Sequence, residues 1–283
     1  MDCNKSIIDH IYRQDLLRNW FFHPVILIPY FGTEQQFYDI ALRKFIFSCN
    51  SSLERTKRCI EDFCTTRAHM SEIFCDRDPT CSSNCKLFLF RCVSTYMAGA
   101  DELLIHKVTG VDNFEFYDLL KSFTLQADEW IRLPKDVLPE NHIVVLDIKE
   151  YTLMMVAKSN VFYFQKFLIF LLEAMPVRLK QIHVVNCPSY YEYLYGLVKG
   201  ALPQEIRDMI KCHTDPMGLH EYIDKKYLPV EYGGDAQSMA EQKNDFRKYY
   251  LDDSLWKADL NKKTKNGSVD TAMSGSFRTL AID

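Results

Sequence analysis

Glycine and proline are both scarce in this chain, 10 of each in 283 residues. None of the glycines builds a G-x-x-x-x-G-K or G-x-G-x-x-G loop, which excludes the usual phosphate-cradling turns. G-x-S-x-G and H-E-x-x-H are missing too, so neither a hydrolase nucleophile elbow nor a helical zinc pair is present. No window of about 20 apolar residues occurs, and no membrane-crossing helix is expected. The most apolar run, Val161 to Met175, is too short and carries Gln165, Lys166 and Glu173. The opening "MDCNKSIIDHIYRQD" lacks the apolar core of a signal peptide, so the 10 cysteines read as reduced thiols of a cytosolic protein. Six of them fall between Cys59 and Cys92 without any Cys-x-x-Cys clip, a poor frame for structural zinc. A formal net charge of -4 argues against a dedicated nucleic-acid binder.

What is present changes character along the chain. "SIIDHIYRQDLLRNWF" has helical spacing. Thr33 is placed to cap a next helix, with Phe37, Ile40, Ala41 and Phe45 on one face. "SSLERTKRCIEDF" offers Ser51 and Glu54 as a capping box for a helix running to about Met70. Residues 1 to about 75 therefore read as a helical bundle, and "RDPTCSSNC" as a joint. Beyond it, "KLFLFRCV" and "ELLIHKVT" are strand-like. "DNFEFYDLLKSFTLQADEWI" is an amphipathic helix with Asp112 or Asn113 as its cap. "HIVVLDI" and "QIHVVNC" suit strands buried on both faces, and the helix "VFYFQKFLIFLLEAM" between them makes a βαβ crossover with parallel pairing. "PSYYEYLYGLVKGAL", "PQEIRDMI", a short strand "KCHT" and "PMGLHEYI" follow. Then come "KKYLPVEYGG", a further helix from "SMAEQKNDF", and a polar linker before "FRTLAID".

Two helices carry the functional signal. Val161 to Met175 is apolar nearly all round: Lys166 and Glu173, seven apart, point almost the same way, and the remainder is aromatic or aliphatic. A helix covering a sheet needs one apolar stripe, so this one is covered on more than one side. It is either a central core helix or a helix with one side on the sheet and another lining an apolar cavity. In "PSYYEYLYGLVKGAL", Tyr191, Leu194, Tyr195, Val198, Ala201 and Leu202 share a face. Gly196 weakens that helix by about 1 kcal/mol relative to alanine, as suits a movable cover or an ordinary surface helix. Acid–base chemistry finds little support. Asp147 ends the first βαβ strand, where catalytic groups occur and where a carboxylate equally caps a turn. Asp128–Glu129 reads as a solvated acidic pair, and His183 as a hydrogen-bonded interior residue.

The order of these motifs resembles the CRAL-TRIO lipid-binding family, and most its tocopherol- and retinaldehyde-binding branch. "LRKFIFSCNSSLERTKRCIEDFCTTR" resembles the family's helical N-terminal domain. "HIVVLDI", "EAMPVRLKQIHVVNCP" and "GLHEYIDKKYLPVEYGG" resemble its lipid-binding domain, and "GSFRTLAID" the ending of invertebrate members. The resemblance implies an α/β fold: an N-terminal helical bundle, then a mixed, largely parallel sheet with a helical lid over an apolar cavity. It implies domains at 1–76 and 77–235, with a C-terminal helix and tail at 236–283. It implies ligand contacts from Phe167, Phe170, Leu171, Met175, Tyr151 and Ile182, with Tyr191, Leu194, Tyr195 and Val198 on a lid spanning about 188–202. Two pocket serines of the branch fall near Thr124 and Asp128. Arg178 matches a phosphoinositide-contacting basic position, whereas Glu205 and Met209 stand where two others are basic.

These readings converge on a non-enzymatic cytoplasmic carrier without cofactor or metal. It would hold one retinoid, tocopherol, carotenoid or other terpenoid and exchange it at a membrane surface with which it associates peripherally. The alternative is a lipid-sensing regulatory or scaffold module acting through a protein partner. Oligomeric state and the identity of the lipid are not legible.

Overall fold

The structure, a computed structural model, describes residues 34–75, 77, 91–109, 114–200 and 202–242. The expected first helix, Thr33, Asp112, Asn113 and nearly all of the last helix and tail lie outside the described residues.

The helical bundle begins with α1 (Glu34–Ser48), α2 (Leu53–His69) and a short α3 (Ser71–Phe74). The apolar face of α1 is Ala41, Leu42, Phe45 and Ile46, one step round from the expected stripe, and Ile40 is only half-buried. The cap of α2 is also displaced. Ser51 sits at φ +57° and its N–H reaches back to Ile46 O at 2.9 Å to close α1. Its backbone is therefore committed to the preceding helix, and Ser52 caps α2 by accepting from Arg55 N. Ile60, Phe63 and Cys64 supply the buried stripe of α2.

A five-stranded sheet follows in the order β1 (Arg91–Ala98), β2 (Asp101–Val108), β3 (His142–Asp147), β4 (Leu179–Val185), β5 (Ile210–Cys212). The β1–β2 pair is antiparallel, closed by a two-residue turn whose Gly99 has φ +70°. The other three pairings are parallel, as the βαβ reading requires. Helix α4 (Phe116–Arg132) makes the first crossover and starts after Glu115, past both expected caps and without a side-chain cap. The second crossover holds α5 (Leu153–Lys158), then α6 (Val161–Ile169), whose end widens into a π turn, Phe170–Ala174. The third holds α7 (Tyr191–Lys199) and α8 (Gln204–Met209).

The sheet separates two cores. On one face Leu103, Ile105, Ile143, Val145 and Val185 pack against Leu219, Ile223, Leu228 and Tyr232 of the segment after β5. That cover is a chain of 3₁₀ turns pinned by specific contacts. Gly233 has φ +72°, and a Cβ on Gly234 would lie 1.8 Å from Leu228 O, so the paired glycines are sterically required. The Tyr232 hydroxyl donates to Asp147 Oδ2 at 2.9 Å. The second core lies with the helices. It joins α1 and α2 to α4, α6 and the π turn through Phe45, Phe63, Phe74, Phe167 and Phe170. Here Phe63 and Phe170 lie 5.8 Å apart, and Phe74 meets Phe170 edge-on at 5.1 Å.

Candidate functional site

Side chains alternate along a strand, so the residues between those of the first core point at the helices. The ladder register aligns them in two rows across β2 to β5. One is Leu104, Val144, Ile182 and Ile210; the other is His106, Leu146, Val184 and Cys212. Interior strands of a helix-covered sheet ordinarily bury such residues completely. Here Leu104, Val144, Leu146 and Ile182 of the interior strands are only half-buried, as is Ile210 on the edge strand β5, and neither core includes them. On that face only His142 of β3 and Val184 of β4 are buried, so the reading of these strands as buried on both faces holds fully for one face and in part for the other.

The roof explains the difference. The π turn packs on α2 and α6 runs beside α7, while neither makes an extensive backbone approach to the strands. Phe167, Phe170, Ala174 and Met175 turn into the helical core. Phe164, Leu168, Leu171 and Leu172 occupy the next stripe of the same helix and remain half-buried. The half-buried strand rows and the half-buried stripe of α6, hereafter the trough, are apolar surfaces that the two cores leave incompletely covered, with Phe164 and Leu171 also touching the helical core.

The expected contact residues divide between several places. Ile182 is in the floor. Phe167 lies 6.0 Å from Phe123 of α4, and Phe170 sits between Phe63 and Phe74. Leu171 packs beside that core. Tyr151 is tied up at both ends: its hydroxyl is 2.7 Å from Ser159 Oγ, and its carbonyl accepts from the Tyr190 hydroxyl at 2.6 Å. That second bond fastens the root of α7 to the loop after β3. Tyr191 and Tyr195 stack, with rings 6.0 Å apart and 8° from parallel. The side chains of Leu194 and Val198 lie outside those described.

Three polar positions are engaged by the protein itself. Asp128, expected on a solvated face or near a pocket, is 3% exposed. It takes Arg67 Nη1 at 2.5 Å and Arg77 Nη2 at 2.6 Å. Burial pushes its carboxyl up, but the two guanidiniums outweigh burial and hold it below the usual range. Thr124 Oγ1 accepts from Arg77 Nη1 at 3.1 Å and lies 2.8 Å from Lys121 O. The solvated reading of Asp128 fails because α4 turns this position onto Arg67 of α2 and Arg77, three residues past α3, whose buried charges it balances. Arg178 lays its guanidinium 4.2 Å over the Phe47 ring and donates to Phe47 O, fastening α1 to the start of β4.

Asp147 is the strand-end carboxylate with catalytic potential. It accepts from Asn186 Nδ2 at 2.8 Å, Lys149 N at 3.0 Å and Tyr232 Oη at 2.9 Å. These bonds cap the turn and pin the cover. His183 is fully buried, with Nδ1 3.0 Å from His213 Nε2, and burial, then His213 and Lys211, lower it to about 4. Among the described residues no group of three or more metal-type ligands comes together.

The floor residues Leu104, Val144, Leu146 and Ile210 went unnoticed in the sequence. Their signal is present as alternation in "ELLIHKV" and "HIVVLD", but alternation cannot tell a filled face from a hollow one.

Residues 103–234 match the family model of the CRAL/TRIO domain, and residues 33–84 that of the Pinta-like, UBA domain. An alpha-tocopherol transfer protein-like protein of Mus musculus is 24% identical over 213 residues, covering 74% of this chain and 61% of the relative. Its Homo sapiens namesake is 33% identical over 98 residues, 34% of this chain and 29% of that protein. Clavesin-1 of Rattus norvegicus is 28% identical over 120 residues, 42% of this chain and 34% of the relative. The matches thus span under two thirds of these relatives. Among solved structures, one titled "Crystal structure of Sfh5" superposes with a TM-score of 0.52 at 14% identity, covering 86% of this chain and 91% of the other. That likeness supports the α/β fold. Residues 103–234 are thus similar to a CRAL/TRIO domain, and residues 33–84 to a UBA domain.

Proposed function

We infer that this CRAL/TRIO-like chain is a carrier for one small hydrophobic lipid, held in the trough between the sheet and α6–α7 and exchanged at a membrane surface. The observation that carries the reading is the row Leu104, Val144, Ile182, Ile210: central apolar residues under a helical roof that no core fills. Burying apolar surface is worth about 25 cal/mol per Å², so a lipid filling this space gains what the missing side chains forgo. An apolar wall with few polar groups selects by shape, which suits a retinoid, tocopherol, carotenoid or other terpenoid. The relatives named for tocopherol transfer support the class of cargo.

Four large apolar side chains stand exposed on the helices flanking the trough: Leu153 (58%), Met154 (69%), Phe162 (78%) and Tyr193 (68%). They support docking on a bilayer, which solvates the roof while α7 opens. Among the described residues no helix is long and apolar enough to cross a membrane, so docking would be peripheral. Asp147 is engaged by three donors that cap the turn and pin the cover, which supports a non-enzymatic reading. The division at 76/77 and 235/236 completes this proposal.

Solvent extraction of the purified protein, followed by mass spectrometry, should yield one lipid class in near-stoichiometric amount. Transfer between vesicles then separates a carrier from a scaffold. A chain that binds lipid and moves none would favour the scaffold; a chain that yields no lipid and accepts none would remove both.

A further inference from the structure

Helices α5 and α6 leave much of their surface uncovered. Helix α5 buries only Met155 and turns Leu153, Met154, Ala157 and Lys158 outward. Asn160 then caps α6 by accepting from Tyr163 N at 3.0 Å, and α6 exposes Phe162 and Lys166. Within each helix an exposed apolar side chain and a lysine stand four residues apart, hence adjacent on one face: Met154 with Lys158, and Phe162 with Lys166. Lys149 is exposed where the chain approaches α5. Residues 149–166 hold three lysines against one glutamate, a surplus of positive charge on a chain whose formal net charge is -4. Among the described residues none of the three lysines pairs with an acid. Lys158 Nζ lies 3.5 Å from Phe114 O. Of the acids on adjoining elements, Glu72 takes the Tyr163 hydroxyl at 3.0 Å, and Glu192 of α7 is offset by Lys199. Glu173, seven residues past Lys166, stands about 10 Å further along the axis.

We propose that this face docks on an anionic lipid bilayer, with Leu153, Met154 and Phe162 entering the headgroup layer and Lys149, Lys158 and Lys166 meeting its negative charge. The proposal rests on the carrier reading and names the kind of membrane at which exchange takes place. Exposed Phe, Met and Leu side chains bordered by lysines make a surface that lies in a bilayer interface. Apolar contact alone would suit a protein partner, but it would leave the three lysines without counter-charge. A second copy of the same face would set lysines against lysines. An anionic leaflet satisfies both halves of the surface. Arg178, the basic residue that the family resemblance offers for a lipid phosphate, is committed to Phe47, so the positive charge comes from these lysines instead. They are exposed and held in no fixed cradle, so they answer to the summed charge of the leaflet and not to one headgroup.

The test floats the purified full chain with vesicles of phosphatidylcholine alone, of phosphatidylcholine with phosphatidylserine, and of phosphatidylcholine with a phosphoinositide at matched charge. Binding should be stronger on both anionic mixtures and should weaken as salt shortens the screening length from about 10 Å at 0.1 M to about 3 Å at 1 M. A lysine near an anionic surface contributes about fivefold, so Lys158→Gln with Lys166→Gln should lose about 25-fold on phosphatidylserine vesicles at low salt. The same double variant should bind phosphatidylcholine vesicles as the wild type does, and keep its thermal melt and its lipid loading. Equal binding of the wild type to neutral and anionic vesicles would overturn the proposal, as would binding that neither salt nor the double variant reduces. Flotation with the phosphoinositide mixture alone would replace it with a headgroup-specific site, and failure to float with any vesicle would point to a protein partner and overturn it too. Flotation reads docking and solvent extraction reads cargo, so the two readings fail separately. A chain that floats with phosphatidylserine but yields no lipid would keep this face and lose the carrier; one that yields lipid and floats equally with all three would lose only this face.

Discussion

Replacing Asp128 by Asn should be among the most damaging isosteric changes available to this chain. The side chain keeps its shape and loses only its charge. Two guanidiniums depend on that charge. Arg67 is wholly buried, stacked 4.3 Å from the Phe74 ring and 5.0 Å from Phe63, and Arg77 is 5% exposed. Arginine cannot shed its proton to escape an apolar site. Coulomb's law at an effective dielectric near 20 gives about 4 kcal/mol for unit charges about 4 Å apart. Breaking a buried pair by deleting one partner costs about 3–5 kcal/mol. At about 2–4 °C per kcal/mol, the melting temperature should fall by roughly 10 °C. Urea denaturation followed by circular dichroism provides the measurement, and the midpoint should drop with the slope unchanged. Asp62→Asn is the control. Its pair with Arg58 spans 3.8 Å with side chains 86% and 48% exposed, so removing it should cost under about 0.5 kcal/mol. Equal losses in the two variants would refute the claim that Asp128 holds the helical bundle to α4.

The same carboxylate should leave an acid signature: because its folded pKa lies below the ordinary value, its stabilisation is full above about pH 5 and drains away as pH falls below about 4. His183 acts at higher pH. Its folded pKa of about 4 lies below the unfolded value near 6.5, so the unfolded chain binds more protons between them. Stability should decline as pH falls through that window, and urea midpoints of His183→Gln should lack the slope. Gly234→Ala should cost several kcal/mol in the same melts, because its Cβ would meet Leu228 O at 1.8 Å and backbone must move. Val144→Asp puts an unpaired charge into the trough floor and should abolish lipid loading with the far-ultraviolet spectrum preserved; normal loading would place the cargo elsewhere. Phe162→Asp should weaken liposome pelleting without changing loading, since Phe162 is 78% exposed.

The β-α-β order, the parallel pairing and the bundle were legible because each rests on local periodicity and short crossovers. Cap positions were not. Ser51 and Ser52 are equivalent as sequence, and the choice between them follows from the N–H of Ser51 closing α1. Asp128 was misread for a related reason. Periodicity places it on α4, but its environment is set by Arg67, 61 residues away, and by Arg77. The all-round apolarity of Val161 to Met175 predicts a helix covered on several sides, but only the stripe Phe167, Phe170, Ala174 and Met175 is buried, and Phe162 is exposed. Which side meets the bundle and which meets the trough depends on how α6 packs against α2 and α7, and composition carries no such information.

The segment "KKYLPVEYGG" shows how the two faces of the sheet depend on one another. It lies at the end of the expected 77–235 domain, and its glycines turn the chain. Its larger effect is through Tyr232, which is 2% exposed and bound to Asp147 at the carboxyl end of β3. Leu228 and Tyr232 complete the filled core on one face. A sheet with both faces loosely covered would have little to hold its central strands in register. With one face sealed by this segment, the row Leu104, Val144, Ile182, Ile210 can stay unfilled on the other. Tyr232→Phe should therefore cost about 1–3 kcal/mol by leaving a buried carboxylate oxygen without its donor. It should also speed hydrogen exchange in β3 across the sheet from the trough. If exchange in β3 were unaffected, the cover would be shown to act on its own face alone.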